Sequence, residues 1–289
     1  MSWKLEQAKM RRAAEYGETI AGVLGFEHPP IDPFAVIASE DGRIRTVGDY
    51  FGNAFDGRLE YHGSYFLLFF NTIYNEWHYE GEHHPKIRFT VGHELGHYFL
   101  QAHRSFLMQN GVAHGSKTEF SSNRNVEREA DFFANGLLMP GFLLRRKVNS
   151  APPSLSAVRA ARDQFQVSLT SMLIRWVELS DFPCAVVSYR QGQVEWGFTS
   201  SGLKRVGGYR VKRGVKLESR HAQEFLIKDP TLEKYRQGEG WSYIDKWIEI
   251  ERQGVEVQED YIVVPSTQQM LVFLTINEED LESETDYWY

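Results

Sequence analysis

The residues best equipped for chemistry in this chain are His93-Glu94-Leu95-Gly96-His97. On an α-helix, side chains four residues apart sit on one face, about 6 Å apart along the axis. Both imidazoles can therefore reach a single divalent cation. Glu94 projects beside them, where its carboxylate can take a proton from water held by that cation; this is the H-E-x-x-H spacing. Zinc suits two imidazole nitrogens and a carboxylate, with the fourth position left to a water whose pKa falls to about 7. The same donors accept other divalent ions. A solvated, charged helix face is the competing reading. It sits poorly with Phe89, Val91, Leu95, Phe99 and Leu100 around the motif, which would bury the helix. Burying two histidines and a glutamate without a partner is costly. Gly96 inside the same helix costs about 1 kcal/mol relative to alanine, which implies that another element comes close there.

A third ligand has to come from elsewhere. Glu127-Arg128-Glu129-Ala130-Asp131 opens a second helical stretch. Glu127 and Asp131 share one face, so Glu127 can complete the ligand set while Asp131 accepts a hydrogen bond from a metal-bound imidazole. Glu129 lies about 200° round the helix from Glu127, so both cannot face one ion. Tyr98, His103 and His114 are candidates to stabilise an oxyanion. His103 lies six residues past His97; on a continuous helix it faces away from the ligand pair and is expected to be structural. His83-His84 beside Pro85 reads as a solvated loop.

The elements that must position these groups follow from periodicity and breakers. A helix is expected over residues 3–24, a break at Pro29-Pro30, and a short helix opened by Ile31-Asp32-Pro33 and running through Ala38. Asp41-Gly42 and Asp56-Gly57 frame short β segments, and residues 65–71 form the strongest strand in this half. That strand is expected at a sheet edge, where an extended peptide could pair with it. Helices follow at 89–104 and 125–139, the second stopped by Pro140-Gly141, with a loop over 110–124 between them. Ala151-Pro152-Pro153 marks a boundary. Residues 154–179 then read as two helices parted near Gln166, the second too apolar to read DNA. Beyond Asp181-Phe182-Pro183 the texture changes to strands at 184–189, 193–198, 255–264 and 270–275, with a helix near 241–251. The fold class expected is α+β. Residues 1–150 form a metal-binding domain, 151–180 a helical connector, and 181–289 a C-terminal mixed α/β domain with an acidic tail at 276–289.

Two stretches together resemble a known family. Arg88-Phe89-Thr90-Val91-Gly92 leads into His93-Glu94-Leu95-Gly96-His97-Tyr98, and Glu127 to Asp131 runs into Phe133-Ala134-Asn135-Gly136-Leu137-Leu138-Met139-Pro140. This resembles the ImmA/IrrE metallopeptidases, whose pattern is an "RFT…HELGH" helix followed by an "E-x-x-A-[DN]-x-FA-x-x-LLMP" helix. The Ile31-Asp32-Pro33 lead-in, His103, the Phe165-Gln166-Val167-Ser168 turn and Arg175 also fit, so the resemblance covers about residues 1–180. It implies a cytoplasmic, zincin-like, zinc-dependent peptidase with His93, His97 and Glu127 as ligands and Glu94 as general base. It also implies a role in stress or mobile-element induction, through cleavage or inactivation of DNA-binding repressors. The chain departs from some members in showing no helix-turn-helix before residue 30, and residues 181–289 match no motif of the family.

Composition bounds the rest. With 289 residues, 42% hydrophobic and 25% charged, there is room for about two domains. No apolar run approaches the roughly 18 residues of a membrane span. The N-terminus lacks a secretory pattern, and the single Cys184 excludes an internal disulfide or a multi-cysteine metal site. A reducing cytoplasm is expected. Six acids and no base in residues 276–289 carry most of the net charge of −7, so the rest is close to neutral and no broad nucleic-acid interface is expected. Lys204, Arg205, Arg210, Lys212, Arg213, Lys216 and Arg220 against Glu218 are read as a solvated β-hairpin face. Trp196, Trp241 and Trp247 are expected in a second core, with Cys184 packed as a small hydrophobe. The function expected is zinc-dependent hydrolysis of a peptide bond in a protein substrate, such as a DNA-binding repressor. The alternative is a regulatory protein that keeps its zinc and works by binding.

Overall fold

The computed structural model describes residues 3–76, 83–110, 114–116, 125–251, 254–277 and 280. Most of the expected 110–124 loop and nearly all of the acidic tail lie outside the described residues. The fold is α+β, as expected. It divides into two compact units, one comprising Met1–Leu144 with Arg162–Ser168, the other Arg145–Ala161 with Leu169–Tyr289.

In the first unit, α1 (Trp3–Val23) is followed by α2 (Pro33–Ala38), which starts where Asp32 accepts from the Phe34 N–H at 3.0 Å and Pro33 takes the first turn. Strands β1 (Ile44–Asp49), β2 (Gly57–Tyr61), β3 (Phe66–Asn71) and β4 (His114–Ser116) form a sheet in the order β1-β3-β2-β4. The strand expected at the edge is therefore internal. β3 pairs in parallel with β1, Thr46 opposite Leu68, and antiparallel with β2, Leu59 opposite Leu68. Its alternating buried residues Phe66, Leu68 and Phe70 serve the core, but the sequence of β1 is mostly polar and its pairing left no hydrophobic trace.

Helix α3 (Pro85–Phe99) carries the His-Glu motif, and almost every residue of it from Ile87 onward is buried. It begins on a cap made by His84, whose Nδ1 accepts from the Lys86 N–H at 3.2 Å, with Pro85 in the first turn. His83 packs against Phe34 with ring centroids 4.4 Å apart, so this pair shapes a helix start and is not the freely solvated loop expected. Buried Arg88 donates to the Ile31 carbonyl, joining α3 to the start of α2. The single helix expected over 89–104 is in fact two. Leu100 is extended (φ −70°, ψ 110°) while its N–H still reaches the Gly96 carbonyl, and α4 (Gln101–Asn110) starts in a new direction. No glycine or proline marks that break.

Helix α5 (Asn125–Leu138) packs between α1 and α3. Both seams depend on missing side chains. A Cβ on Gly136 would lie 1.9 Å from the Ala14 carbonyl oxygen of α1, and one on Gly96 would lie 3.0 Å from Ala130 Cα of α5. The close approach inferred from Gly96 is thus to α5.

The division between units falls within α6 (Gly141–Val148) and α7 (Leu155–Phe165). Helix α8 (Leu169–Leu179) is buried along most of its length, as its apolar sequence requires. The second unit is built on five antiparallel strands: β5 (Cys184–Arg190), β6 (Gln193–Thr199), β8 (Gln237–Tyr243), β10 (Glu256–Val264) and β11 (Gln269–Thr275), in the order β6-β5-β11-β10-β8. Short α9 (Ser201–Arg205), β7 (Arg210–Val211), α10 (Arg220–Ile227) and β9 (Ile248–Glu249) fill the connections, and β7 pairs with β9. The basic stretch 204–220 is therefore not a hairpin. The helix expected near 241–251 is strand, a short 3-10 turn and strand. Residues 237–243 alternate in exposure and pair with β10, Trp241 opposite Gln258. Trp247 and Trp196 are core residues, whereas Trp241 is 46% exposed and is not. Cys184 is fully buried, which pushes its thiol up to about 11.

Candidate metal centre

His93 and Glu94 come from the third turn of α3 and His97 from its last turn, and Glu127 and Asp131 from the first two turns of α5, so the α3–α5 seam assembles the centre. His93 Nε2 lies 3.1 Å from His97 Nε2 and 3.3 Å from Glu127 Oε2, while His97 Nε2 lies 3.8 Å from that same oxygen. Ligand bonds of about 2.0–2.1 Å at tetrahedral angles put donor atoms about 3.3 Å apart. The spacing thus fits a small first-row cation. Among the described residues this is the one group of three or more histidine, cysteine or acidic side chains placed to hold a metal ion.

Orientation supports the same conclusion. His93 Nδ1 is 2.8 Å from Asp131 Oδ1, and if it donates its proton there, a lone pair on Nε2 is left pointing at the other two donors. All of these groups are withdrawn from solvent: His93, His97 and Asp131 are each 1% exposed, Glu94 0% and Glu127 8%. Carboxyl groups in so little solvent are charged only at a cost: burial pushes Asp131 above its usual range despite its bond to His93, and the group creates a demand for positive charge. Burial presses the His93 pKa down, but bonds to Asp131 and Glu127, with the charges of Asp131 and Glu94, carry it up to about 10. Burial would raise Glu127, yet its contacts with His93 and His97 hold it well below the usual carboxylate range. A divalent cation answers that demand.

Glu94 faces strand β2. A Cβ on Gly57 would sit 2.7 Å from Glu94 Oε1 and 2.5 Å from Thr90 Cγ2. Only glycine lets the strand come this near the carboxylate, a role its turn-like Asp56-Gly57 sequence did not reveal. Tyr98 is committed elsewhere. Its hydroxyl donates to Glu40 Oε2 at 2.6 Å, and burial and that carboxylate push it up to about 12. The side chain of His114 lies outside the described residues.

His103 corrects the sequence reading. Because the helix breaks at Leu100, its ring does not point away: its centroid is 5.1 Å from that of His97. It is 6% exposed, and its Nε2 lies 3.5 Å from Glu129 Oε2. Burial and the adjacent His97 push its pKa down to about 4. Glu129 does face away from the ion, as its position on the helix requires, and what it faces is His103.

Residues 79–177 match the model of the Peptidase_M78 family, the IrrE N-terminal-like domain. The ImmA/IrrE resemblance read from the paired motifs therefore holds across that segment, and the match supports a metallopeptidase with a zincin-like fold. No curated protein matches the sequence. The chain is similar in fold to a solved structure described as a Mycobacterium tuberculosis transcriptional regulator, at 11% identity and a TM-score of 0.57, covering 96% of this chain and 81% of that one.

Proposed function

We propose that the chain is a zinc-dependent peptidase that cleaves a peptide bond within a protein substrate, with a DNA-binding repressor as the substrate class. The observation that carries this reading is the convergence of His93 Nε2, His97 Nε2 and Glu127 Oε2 at 3.1–3.8 Å beside Glu94, inside a segment that matches a metallopeptidase family. A zinc ion held by these three groups would polarise the scissile carbonyl and acidify the attacking water. Asp131 orients His93 by accepting from Nδ1. Glu94 takes the proton of the attacking water and passes it to the leaving nitrogen. An extended peptide would add its main chain to the sheet. Since β3 is internal, we take the edge nearer Glu94, where β4 is the terminal strand beyond β2, as the one available to it.

We assign residues 1–150 to the peptidase domain and 151–180 to a connector, and give residues 181–289 a sensing or substrate-recognition role. No helix among the described residues is long and apolar enough to cross a membrane; with one buried cysteine, we place the protein in a reducing cytoplasm.

One observation favours a second reading, a regulatory protein that retains zinc and works by binding. Glu94, His93 and His97 are almost inaccessible, whereas a substrate has to reach them. The fourth coordination position separates the two: water in an enzyme, a protein ligand in a structural site. The test is metal analysis of untagged protein together with Glu94→Gln. Stoichiometric zinc, lost on replacing His97, and an inactive Glu94→Gln variant that keeps its metal are expected. Substoichiometric metal, or full peptidase activity in Glu94→Gln, would refute the proposal.

A further inference from the structure

We infer that His103 and Glu129 form a positioning pair for His97, limiting the rotation of the second imidazole of the centre by ring packing, where Asp131 holds the first by a hydrogen bond. The inference rests on the metal-site reading above and extends it to two residues outside the ligand set. His93 is referenced to α5 directly, through Asp131 Oδ1 at 2.8 Å. His97 approaches the same helix through its ligand atom, 3.8 Å from Glu127 Oε2, and a second link runs through its ring. Its ring lies against that of His103, centroids 5.1 Å apart and planes inclined by 41°. The His103 ring is in turn held by Glu129, Nε2 to Oε2 at 3.5 Å. Glu129 is anchored from its other side by Lys9 of α1, at 3.7 Å.

Packing alone does not explain a histidine here. His103 is 6% exposed, and its Nδ1 is buried with no hydrogen-bond partner among the described residues. A phenylalanine or leucine would fill the space without stranding a polar nitrogen. The geometry is also specific to this chain's irregularity. Six residues of unbroken helix would put His103 about 240° away from His97; the extended Leu100 brings it back under the ring. A ligand imidazole has one torsional freedom that the metal bond alone fixes poorly, and outer contacts that fix it are worth roughly 10–100-fold in metal affinity.

The test is zinc affinity of the full chain, by competition with a chromophoric chelator, for wild type, His103→Phe, Glu129→Gln and the double variant. The absorption spectrum of the cobalt-loaded proteins and the melting temperature of the metal-free proteins accompany it. His103→Phe keeps a ring in the pocket, so the fold is retained. Each single variant is expected to bind zinc roughly tenfold more weakly. The double variant should be little worse than the weaker single, as two members of one pair require, and the cobalt spectrum should shift. Variants that lower the metal-free melting temperature but bind zinc as wild type does, with unchanged cobalt spectra, would show plain packing and overturn the inference while leaving the metal site standing. A wild-type protein that binds no metal would take both down.

Discussion

The two glycine seams of α5 should fail in different ways when filled. Gly136→Ala places a Cβ 1.9 Å from the Ala14 carbonyl oxygen and 2.7 and 2.8 Å from its carbonyl carbon and Cα. Carbon contacts settle near 3.5 Å, so α1 must retreat by more than about 1 Å. Overpacking against rigid backbone sits at the top of the usual range of about 1–3 kcal/mol, and the gain in helix propensity returns only about 1 kcal/mol. A net loss of about 2 kcal/mol lowers Tm by about 4–8 °C for a unit of this size. Gly96→Ala is gentler, with contacts of 3.0, 3.1 and 3.3 Å to Ala130 Cα, O and Cβ. A parting of α3 and α5 by a few tenths of an ångström relieves these, and the propensity gain roughly cancels the cost. That small parting, however, runs along the line joining Glu127 to His93 and His97, already 3.3 and 3.8 Å apart. Zinc affinity should fall about tenfold, or about 1.4 kcal/mol. Calorimetric melting of the metal-free proteins and chelator competition for zinc read the two effects separately. If Gly96→Ala bound zinc like wild type, or if Gly136→Ala were as stable as wild type, the seam argument would be wrong.

Two further outcomes follow from groups already described. His93 is carried up to about 10 in the metal-free centre, so at pH 7.5 zinc must displace its proton. Calorimetry in buffers of different ionisation enthalpy should show about one proton released per zinc, and affinity should climb as pH rises toward 10. The same shift contributes stability to the metal-free fold that is complete below the ordinary value of 6.5 and lost as pH rises through 10; pH-independent binding without proton release would contradict it. In the second unit, fully buried Glu259 accepts from Ser219, Ser242, Trp247 and Tyr261. Glu259→Leu strands these donors, at about 1–3 kcal/mol for each that finds no new partner, and should cost at least about 3 kcal/mol in urea titration. Wild-type stability would mean that the four donors rearrange freely.

What could be read from the chain divides along physical lines. The ligand-bearing helices were legible because metal ligation needs fixed residue types at helical spacing, and α5 ends one residue before the position expected, ahead of Pro140. Strands β5 and β11 are legible because both of their faces are buried for most of their length, and β6 and β10 because buried residues alternate with more exposed ones along much of each. The misreadings come from places where local sequence underdetermines direction. Nothing at Leu100 announces a break, so helical spacing alone puts His103 on the wrong side of a helix that does not continue. The order of strands in the first sheet depends on β1, whose pattern is buried at Ile44 and exposed thereafter. Around Trp241 the residues pass equally for a helix or an edge strand. The ladder to β10 decides, and that is a contact between distant segments.

Helix α5 explains why one short stretch of sequence carries so much of the resemblance. Its Glu127, Asp131 and Glu129 engage, respectively, the ion-binding point, His93 and His103. Its Ala130 and Ala134 receive Gly96 and Gly92 of α3, while Gly136 receives α1. A substitution at Glu127, Ala130, Asp131 or Ala134 moves a ligand, a group that aims one, or the seam with α3, so the spacing Glu-x-x-Ala-Asp-x-Phe-Ala-x-x-Leu is a record of one helix serving that seam and a charged centre at once. Glu129 and Gly136 stand at its unspecified positions. The charges add a second constraint. Glu94, Glu127 and Asp131 are buried together against two imidazoles, a concentration of acidic groups whose charge burial opposes at Asp131 and the imidazoles stabilise at Glu127. A divalent cation stabilises that charge further, which ties metal uptake to the stability of the unit that binds it.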